Sequence, residues 1–467
     1  MRTRDGAHVS GRGGEPVRGF SRRHVIAGVA AVAGAGVLAA CRSERPRGAT
    51  PEGTGVTAAN IKGQRLVFLH WWTNNLGPGY DEFMQWAADT FRSRTGAEVE
   101  YQTGPAGGGL NQKLITMIAG GQPPDSTFVS VVFGRDNYDA GILRNLRSYI
   151  AKAPDVGEGE WFESSRLFRT KGADVFGIPV MGPESLCFAV SRAHMEAAAL
   201  DPRGSGIRSW ADLATTAQKL TRMEGGQFSQ IGMLVPGLSL PWLAAWLYSN
   251  GGQLMTQDES KYLLNSPAAV EAVQFWLDLI YRYRVSPPLN AERPSNARQA
   301  FVGGQVSIIW DSTSTGLVNA PPGFEWWLVP VPPGPRGRGP ASATWTNMVS
   351  IPTEAKNPDA AFEWMRFFTS VEVGVERFKR LQGQHPRVKF YQTPEWQQAV
   401  KEKPFLAAIP GIAALPGPYP YLRFNRLSSE LAQIFRDISL ANVGVSEGLN
   451  QAQQIADRVM AEPLLVQ

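Results

Sequence analysis

The sequence predicts an α/β protein built on an open, mainly parallel sheet with helices on its faces. Leu66–Trp72 is a continuous apolar run, which suits a strand that is buried on both faces of a parallel sheet. Apolar residues at helical spacing follow over 83–91, and an alternating strand pattern comes next at Glu98–Tyr101. This alternation of strands and helices continues along the chain, and it favours helix-flanked parallel sheets over an all-β or all-α fold.

Capping and turn residues place the first elements. A helix that Asp81 can cap ends at Gly96, a second helix over 110–118 ends at Gly120, and a strand follows over Ser126–Phe133. Later strands are predicted at Val175–Met181, Leu186–Val190, Val306–Trp310, Phe324–Val331 and Met348–Ile351, and later helices at 210–221, 240–249, 266–283, 358–369, 395–403, 427–440 and 446–461.

Length and charge limit the classes of protein to consider. A chain of 467 residues is too long for one core and suggests two or three domains. The net charge of +5 arises entirely within residues 1–60, which leaves residues 61–467 formally neutral. A nucleic-acid-binding domain would carry a basic surface of its own. We therefore expect no nucleic-acid partner.

Residues 1–41 have the pattern of an export signal. A basic region ends at Arg22-Arg23, and Val25–Ala40 is an uncharged run that is shorter than the roughly 20 residues needed to span a bilayer. The arginine pair resembles a twin-arginine signal. Val25 stands where that signal usually has a bulky aromatic residue, so the choice between the general and the twin-arginine export routes stays open.

The end of this segment predicts a lipid anchor. Leu38-Ala39-Ala40-Cys41 resembles a bacterial lipobox, in which the cysteine becomes the lipidated first residue of the mature protein. The alternative is an uncleaved membrane helix that ends in an incidental cysteine. The only other cysteine, Cys187, lies in an apolar run and is expected to be an inert buried thiol. Residues 42–60 have little to bury and predict a flexible tether.

The sequence offers few signals of catalysis or of cofactor binding. Its five histidines never fall at a metal-ligand spacing, and no phosphate-binding loop occurs. A glycosidase would need two carboxylates about 5–10 Å apart, and nothing in the sequence points to such a pair. We expect no cofactor, no metal and no enzymatic activity.

Short motifs in the expected order resemble the bacterial extracellular solute-binding proteins of the maltose-binding type. They cover nearly all of residues 64–461, and they include Trp71-Trp72, Pro123-Pro124-Asp125, Gly141–Leu146, Gly177-Ile178-Pro179, Ser209–Leu213, Leu264–Val270, Ala300–Val306 and Asn357–Ala361. The sequence departs from the family at Ser185–Ser191, where a Tyr-Asn-Lys stretch is usual.

The resemblance implies a two-lobed periplasmic-binding-protein fold of type II, with a mostly parallel sheet in each lobe and a hinge between them. Lobe one is expected at 61–178 plus 322–369, and lobe two at 179–321 plus 370–461. Closure about the hinge would bury a ligand between the lobes. The implied protein is a monomeric, extracytoplasmic component of an ABC importer, which is held to the cell membrane by its lipid and passes its ligand to permease subunits.

A sugar ligand calls for aromatic planes against its C–H face and for polar side chains along its hydroxyl edge. Several of the 14 tryptophans can instead be core residues, and Asp125 can be a loop cap. The residues expected to bind ligand are Trp71, Trp72, Asp125, Trp242, Trp246, Asn250, Trp310, Asp311, Trp345, Asn347 and Arg387.

A di- or oligosaccharide is the first expectation for the ligand, because aromatic residues recur in the segments expected near the cleft. Gly107-Gly108-Gly109 before a helix leaves a glycerol-phosphate ester open as an alternative, since a helix N-terminus can hold a phosphate group. A ligand-sensing surface lipoprotein with the same fold is the other alternative.

Overall fold

The computed structural model describes residues 60–166, 168–313, 320, 321 and 323–464. The export signal, the lipobox and nearly all of the tether lie outside these residues. No helix within the described ranges combines the length and the apolar character that crossing a membrane requires.

Eleven strands occur in the described residues. They are β1 (Arg65–His70), β2 (Glu98–Thr103), β3 (Ser126–Val129), β4 (Thr170–Lys171), β5 (Asp174–Val175), β6 (Ile178–Ser191), β7 (Arg222–Glu224), β8 (Gln227–Leu234), β9 (Val306–Ser312), β10 (Trp326–Val329) and β11 (Thr344–Ser350).

The α-helices of the same residues surround these strands. They are α1 (Tyr80–Thr95), α2 (Gly108–Ala119), α3 (Val131–Asp139), α4 (Arg147–Ile150), α5 (Arg192–Ala197), α6 (Trp210–Leu220), α7 (Leu240–Ser249), α8 (Pro267–Tyr281), α9 (Ala297–Val302), α10 (Pro358–Phe368), α11 (Val371–Leu381), α12 (Pro394–Glu402), α13 (Ile409–Ala413), α14 (Phe424–Ser439) and α15 (Val445–Ala461).

The main sheet is mixed and not mostly parallel as the sequence predicts. Its order is β2-β1-β3-β11-β6-β9-β8-β7, with β10 also paired to β6. Strand β1 runs parallel to β2 and β3, and β8 runs parallel to β9. The pairs of β11 with β3 and β6, and of β6 with β9 and β10, are antiparallel. The long strands β6 and β11 thus run against their neighbours in the middle of the sheet.

One strand joins the two halves of the sheet. The sequence predicts separate strands at 175–181 and 186–190, whereas β6 is continuous: it pairs with β11 as far as Ser185 and with β9 from Leu186 onward. Gly182 has a φ of 91°, and a Cβ there would lie 2.8 Å from the backbone nitrogen of Glu184. Glycine is therefore required at this crossing.

The segment predicted as a strand over Ser126–Phe133 is in fact a strand followed by a helix. Strand β3 ends at Val129 and α3 begins at Val131. The backbone N–H of Val131 donates to Asn347 Oδ1 at 3.1 Å, which satisfies one of the free N–H groups at the helix start. The change from strand to helix thus occurs where a residue of β11, which is distant in sequence, accepts a hydrogen bond from the first residue of the helix.

Separate aromatic and aliphatic cores lie under the two halves. The first core surrounds Phe68 of β1, whose ring lies 5.2 Å from that of Phe128 and 5.5 Å from that of Trp364. The second core collects buried residues of α6, α7, α8, α14 and α15 against β8 and β9. Each of these helices buries an apolar stripe against the sheet, and this burial is sufficient to explain the two cores.

Two segments depart from the predicted lobe boundaries. Strand β10 lies in the range predicted for lobe one, but it pairs with Phe188–Ser191 in the second half of β6. Helix α11 lies in the range predicted for lobe two, but its Val373 is buried in the first core. Both segments have apolar faces, and the sequence does not indicate which core buries them. The other lobe boundaries stay a prediction.

Candidate functional site

The first two predicted tryptophans are largely core residues. Trp71 and Trp72 follow β1 and are 7 % and 3 % exposed. The ring of Trp71 packs 4.9 Å from that of Phe128, and the guanidinium group of Arg377 lies 4.9 Å from the ring of Trp72. Side chains of the protein cover the ring of Trp71, whereas Trp72 also lines a small polar cavity.

Trp242, Trp246 and Trp310 lie together, as expected for one site, but mostly within the second core. The ring centroids of Trp242 and Trp310 are 3.8 Å apart, and those of Trp246 and Trp310 are 5.8 Å apart. Trp246 is only 1 % exposed and Trp310 is also buried. Trp242 alone of the three is half-buried, so it is the one that keeps a surface available for a ligand.

Trp345 and Asn347 lie on β11, where this strand crosses between the halves. Trp345 is half-buried, and its ring lies 5.1 Å from that of Tyr419. The amide oxygen of Asn347 accepts the hydrogen bond that begins α3. Trp345 therefore remains a candidate for contact with a ligand. The amide oxygen of Asn347 already has a structural partner.

The groups of Asp125 and Asn250 are used inside the protein. Asp125 accepts backbone N–H groups of Val67 at 2.9 Å and of Asn357 at 2.7 Å, one with each carboxylate oxygen. Asn250 is fully buried, and its amide nitrogen donates to the carbonyl oxygen of Ala268 at 3.1 Å. In both residues the polar atoms already have partners within the protein, and contact of either residue with a ligand stays a prediction.

Asp311 and Arg387 also have partners within the protein. Both oxygens of Asp311 accept from Arg298, at 2.8 and 2.5 Å. Arg387 is buried, donates from Nε to the carbonyl oxygen of Thr369 at 2.6 Å, and lies 4.5 Å from the ring of Trp161. Contact of these two residues with a ligand stays a prediction.

A small polar cavity lies where β1, β6 and α11 meet, and we call it the hinge cavity. Its volume is 80 Å³. Trp72, which was predicted to bind ligand, lines this cavity. Most of the polar groups of the cavity come from residues that were not predicted to bind ligand. The lining residues are Trp72, Tyr80, Met181, Gly182, Glu184, Arg377, Leu381, Gly383 and Gln384.

Buried polar atoms in the hinge cavity have no partner among the described residues. Gln384 is 4 % exposed, and neither its amide oxygen nor its amide nitrogen makes a hydrogen bond. Arg377 donates from Nη1 to the carbonyl oxygen of Val180 at 2.9 Å, but its Nε has no acceptor. Buried polar groups are nearly always paired in folded proteins, so such a cluster calls for an occupant.

Burial sets the electrostatics of this cavity. It raises the pKa of Glu184 to about 7, against the opposing effect of the positive charges of Arg377 and Arg298. Burial also lowers the pKa of Arg377 to about 10, although it stays charged at neutral pH. The carboxyl group is thus close to its midpoint near neutrality, where it both donates and accepts hydrogen bonds.

Glu184→Gln should flatten the pH dependence of stability. Because the pKa of Glu184 is higher in the folded chain, its stabilising effect is complete below about pH 4.5 and is lost as the pH rises through 7. Melting temperatures between pH 4 and 8 measure this slope. The variant should lose part of the wild-type fall in melting temperature, and Glu82→Gln, at an exposed residue of α1, should retain it. An unchanged slope in Glu184→Gln would refute the assignment.

A second space, the outer cavity, lies between α2 and α3 on one side and α14 on the other. Its volume is 330 Å³, within the usual range for small-molecule pockets. Burial raises the pKa of Asp136 to about 6, and a backbone hydrogen bond from Arg423 opposes this shift. The lining residues are Gly108, Asn111, Gln112, Phe133, Asp136, Asn137, Arg423, Asn425, Arg426 and Leu464.

Two larger spaces are less suited to a buried ligand. One, of 520 Å³, lies beside β10 and is lined by Trp326, Trp327 and Phe405 among others, and another, of 580 Å³, lies along α8. In the described residues that line these spaces, only Trp210, Trp326, Phe405 and Val445 are largely buried, and no buried side-chain atom there lacks a hydrogen-bond partner. We therefore take the hinge cavity and the outer cavity as the candidate site.

Glu184 and Arg377 are the main residues that sequence reasoning missed. Glu184 is the only charged residue of the 14-residue strand β6, and an isolated carboxylate in an apolar strand was a signal for it. Gln384 lies in a segment that resembles the family, which was a signal for it. Arg377 looks like an ordinary surface arginine of an amphipathic helix. Among the described residues, no group of three or more His, Cys, Asp and Glu side chains is placed to hold a metal ion.

Comparison with known proteins places this geometry in context. The family model for bacterial extracellular solute-binding proteins matches residues 74–375, more than half of the chain. The sugar-binding protein MalE of Xanthomonas citri aligns with a TM-score of 0.73 at 15 % identity, over 85 % of this chain and 98 % of that one. The substrate-binding protein Lmo0181 of Listeria monocytogenes, solved with cycloalternan, gives 0.69 at 18 % identity, over 86 % and 100 %.

A third structure agrees with the first two. The GacH receptor of Streptomyces glaucescens, solved unliganded and with acarbose, aligns with a TM-score of 0.66 at 18 % identity, over 85 % of this chain and 99 % of that one. The fold is thus the two-lobed one of periplasmic binding proteins, with β6 and β11 at the crossing. From the family match and this fold, the chain belongs to the bacterial extracellular solute-binding proteins.

Proposed function

We propose that the chain is the carbohydrate-capturing component of an ABC importer, and that it acts by binding without bond chemistry. The ligand is a di- or oligosaccharide held at the boundary between the lobes. Closure about β6 and β11 buries it, and permease subunits receive it from the monomeric protein. The family supports a role in solute binding, and the chemistry of the candidate site supports a sugar.

The observation that carries the proposal is the polar lining of the hinge cavity, in which the Gln384 amide and Nε of Arg377 are unpaired. Glu184, Arg377 and Gln384 present a carboxyl group, a guanidinium group and an amide to one space. These groups suit the hydroxyl edge of a sugar, where each hydroxyl donates one hydrogen bond and accepts others. Trp242 and Trp345, the half-buried predicted tryptophans, are the aromatic candidates for its C–H face.

The size of the hinge cavity supports binding that is coupled to opening. A volume of 80 Å³ holds a few water molecules and is too small for a sugar ring. Entry of a sugar therefore requires the lobes to separate. The ligands of similar proteins support the same class of solute, since their structures hold cycloalternan and acarbose.

Thermal unfolding against a panel of ligands tests this proposal. The panel contains mono-, di- and oligosaccharides, polyols and glycerol phosphates. A sugar at ~100 times its dissociation constant should add about 2.7 kcal/mol to the free energy of unfolding. A shift in melting temperature with one class of sugar supports the proposal. A shift with glycerol phosphates alone counts against a carbohydrate ligand.

Trp242→Ala should weaken sugar binding about 5-fold, because stacking of an aromatic ring on a sugar face contributes on the order of 1 kcal/mol beyond the area it buries. Titration calorimetry measures the change. Trp86→Ala is the matched control: this tryptophan is also half-buried but lies on α1, with its ring against that of Phe83. Equal affinities of the wild type and Trp242→Ala would remove Trp242 from the site.

A glycerol-phosphate ester is the second candidate ligand, and the outer cavity is its support. Helix α2 begins there at Gly108, and Arg423 and Arg426 line the same space. The guanidinium group of Arg423 already donates to the carbonyl oxygens of Glu462 and Pro463, and the carboxyl group of Asp136 lies nearby. A phosphate group would compete with these contacts, so the sugar is favoured.

The proposed anchor is a lipid on Cys41, with export directed by Arg22 and Arg23. Cys41→Ser should release the protein from the membrane fraction, because a thioether-linked lipid cannot form on serine. Immunoblotting of membrane and soluble fractions measures the release. Cys187→Ser, at a buried cysteine of β6, is the control and should leave the protein in the membrane fraction. Retention of Cys41→Ser in the membrane would overturn the lipobox prediction.

A further inference from the structure

An ion pair and a hydrogen bond connect the two lobes away from the hinge strands. Arg135 Nη1 of α3 lies 2.6 Å from Glu259 Oε2, and the Tyr421 hydroxyl donates to the other oxygen of the same carboxylate. We call these three residues the interlobe clasp. Arg135 belongs to the predicted lobe one, whereas Glu259 and Tyr421 belong to the predicted lobe two.

Each side of the clasp is fixed to its own lobe. On the lobe-one side, Arg135 Nε lies 3.2 Å from Asp139, and Asp139 in turn pairs with Lys171 at 2.5 Å. The start of α3 is also bonded to Asn347 of β11. Arg135 is therefore held in place on α3, and the start of this helix is tied to β11.

The lobe-two side is held as a unit as well. The loop that carries Glu259 ends near Tyr262, and the Tyr262 hydroxyl donates to the carbonyl oxygen of Leu422 at 2.7 Å. This bond ties the loop to the segment that contains Tyr421. Asp258 stabilises the turn of this loop, because its carboxylate accepts a hydrogen bond from the backbone N–H of Ser260 at 3.2 Å. Glu259 and Tyr421 thus meet Arg135 together.

The clasp is partly shielded from water. The side chain of Arg135 is 9 % exposed, and that of Glu259 is 25 % exposed. The rings of Phe168 and Tyr421 pack edge to face at 5.6 Å, which adds an apolar contact between the same two predicted lobes. With water partly excluded, a charge-assisted pair of this geometry is stronger than a fully exposed ion pair. Removal of the Glu259 charge leaves the buried Arg135 with only its longer pair to Asp139.

We propose that the interlobe clasp of Arg135, Glu259 and Tyr421 holds the lobes closed in the absence of ligand and so determines how readily the cleft opens to admit a solute. This proposal rests on the proposed function only for the chemical class of the solute. A protein that is mostly closed when empty loads through a minor open population, so the clasp slows loading. Weakening it should favour the open state without touching the hinge cavity.

Small-angle scattering of the purified, ligand-free protein tests the clasp without any ligand. Glu259→Gln should increase the radius of gyration, and hydrogen exchange of the α3 amides should become faster, because the closed state loses the ion pair of Arg135 with Glu259 and keeps only the longer pair with Asp139 on the same helix. The matched control is Glu372→Gln. Glu372 accepts two hydrogen bonds from Arg94, at 2.6 and 2.9 Å, but α1 and α11 both contribute to the first core. This control should scatter like the wild type.

Tyr421→Phe is a second variant that removes a single hydroxyl group, and it keeps the test decisive if Glu259→Gln fails to fold. It should shift scattering and exchange in the same direction by a smaller amount. Wild-type scattering and exchange in either folded clasp variant would overturn the proposal, as would an equal expansion in Glu372→Gln. Because no ligand is present, failure of the clasp is distinct from failure of the carbohydrate proposal.

Discussion

Gln384→Leu should weaken sugar binding about 10- to 100-fold and at the same time raise the stability of the empty protein. The amide of Gln384 is 4 % exposed and makes no hydrogen bond to any described residue. An unpaired buried polar group costs about 1–3 kcal/mol, so an apolar side chain of similar size removes that cost. The same change removes the hydrogen bonds that a sugar would form. Calorimetric titration and thermal unfolding measure the two effects.

Gln453→Leu is the matched control for the sign of the stability change. Gln453 is equally buried, but its oxygen accepts from the backbone N–H of Leu264 at 2.7 Å, and its nitrogen donates to the carbonyl oxygen of Tyr262 at 2.8 Å. This substitution should destabilise the fold by about 2–3 kcal/mol, because it leaves those backbone groups unpaired. If Gln384→Leu destabilises the protein just as much, the Gln384 amide is already paired in the empty protein, and its assignment as a ligand-binding group is wrong.

Asp125→Ala should cost about 2–4 kcal/mol of stability and leave the affinity for sugar unchanged. Its carboxylate accepts the N–H of Val67 in β1 and the N–H of Asn357 just before α10. Hydrogen bonds to a charged acceptor are about twice as strong as neutral ones, and both are lost at once. Urea denaturation measures the free energy of unfolding, and calorimetry measures the affinity.

Asp89→Ala provides the comparison for a carboxylate on the surface. Asp89 forms an exposed ion pair with Arg92 at 3.3 Å, and such pairs contribute little. Its loss should change stability by less than about 1 kcal/mol. A tight-binding but destabilised Asp125→Ala protein agrees with a structural role. A stable Asp125→Ala protein that no longer binds sugar would restore Asp125 to the ligand site.

The alternation of strands and helices was enough to predict the fold class, but not the direction of every strand. Apolar runs identify β1 and β9 as buried strands, because burial on both faces leaves no polar alternation. The same runs give no information on direction, so the antiparallel neighbours of β6 and β11 were missed. The helix α3 was missed for a different reason: its start is bonded to Asn347, more than 200 residues further along the chain.

The candidate site was predicted less well than the fold. Tryptophans look alike in sequence whether a ring lies in a core or faces a cleft, and Trp246 and Trp310 proved to be core residues. Polar residues such as Asp125 looked available because their backbone partners cannot be read from a pattern. Arg377 and Glu184 line the same cavity because Arg377 of α11 is bonded to Val180 of β6, and a linear sequence does not show that contact.

Isothermal titration of the purified protein with maltotriose, mannotriose, trehalose and glycerol 3-phosphate tests the central claim most directly. We predict one-to-one binding of at least one of the sugars, with an affinity that falls in Gln384→Leu and not in Gln453→Leu. Binding of glycerol 3-phosphate alone, with no heat from any sugar, would contradict a carbohydrate-binding function at the hinge cavity.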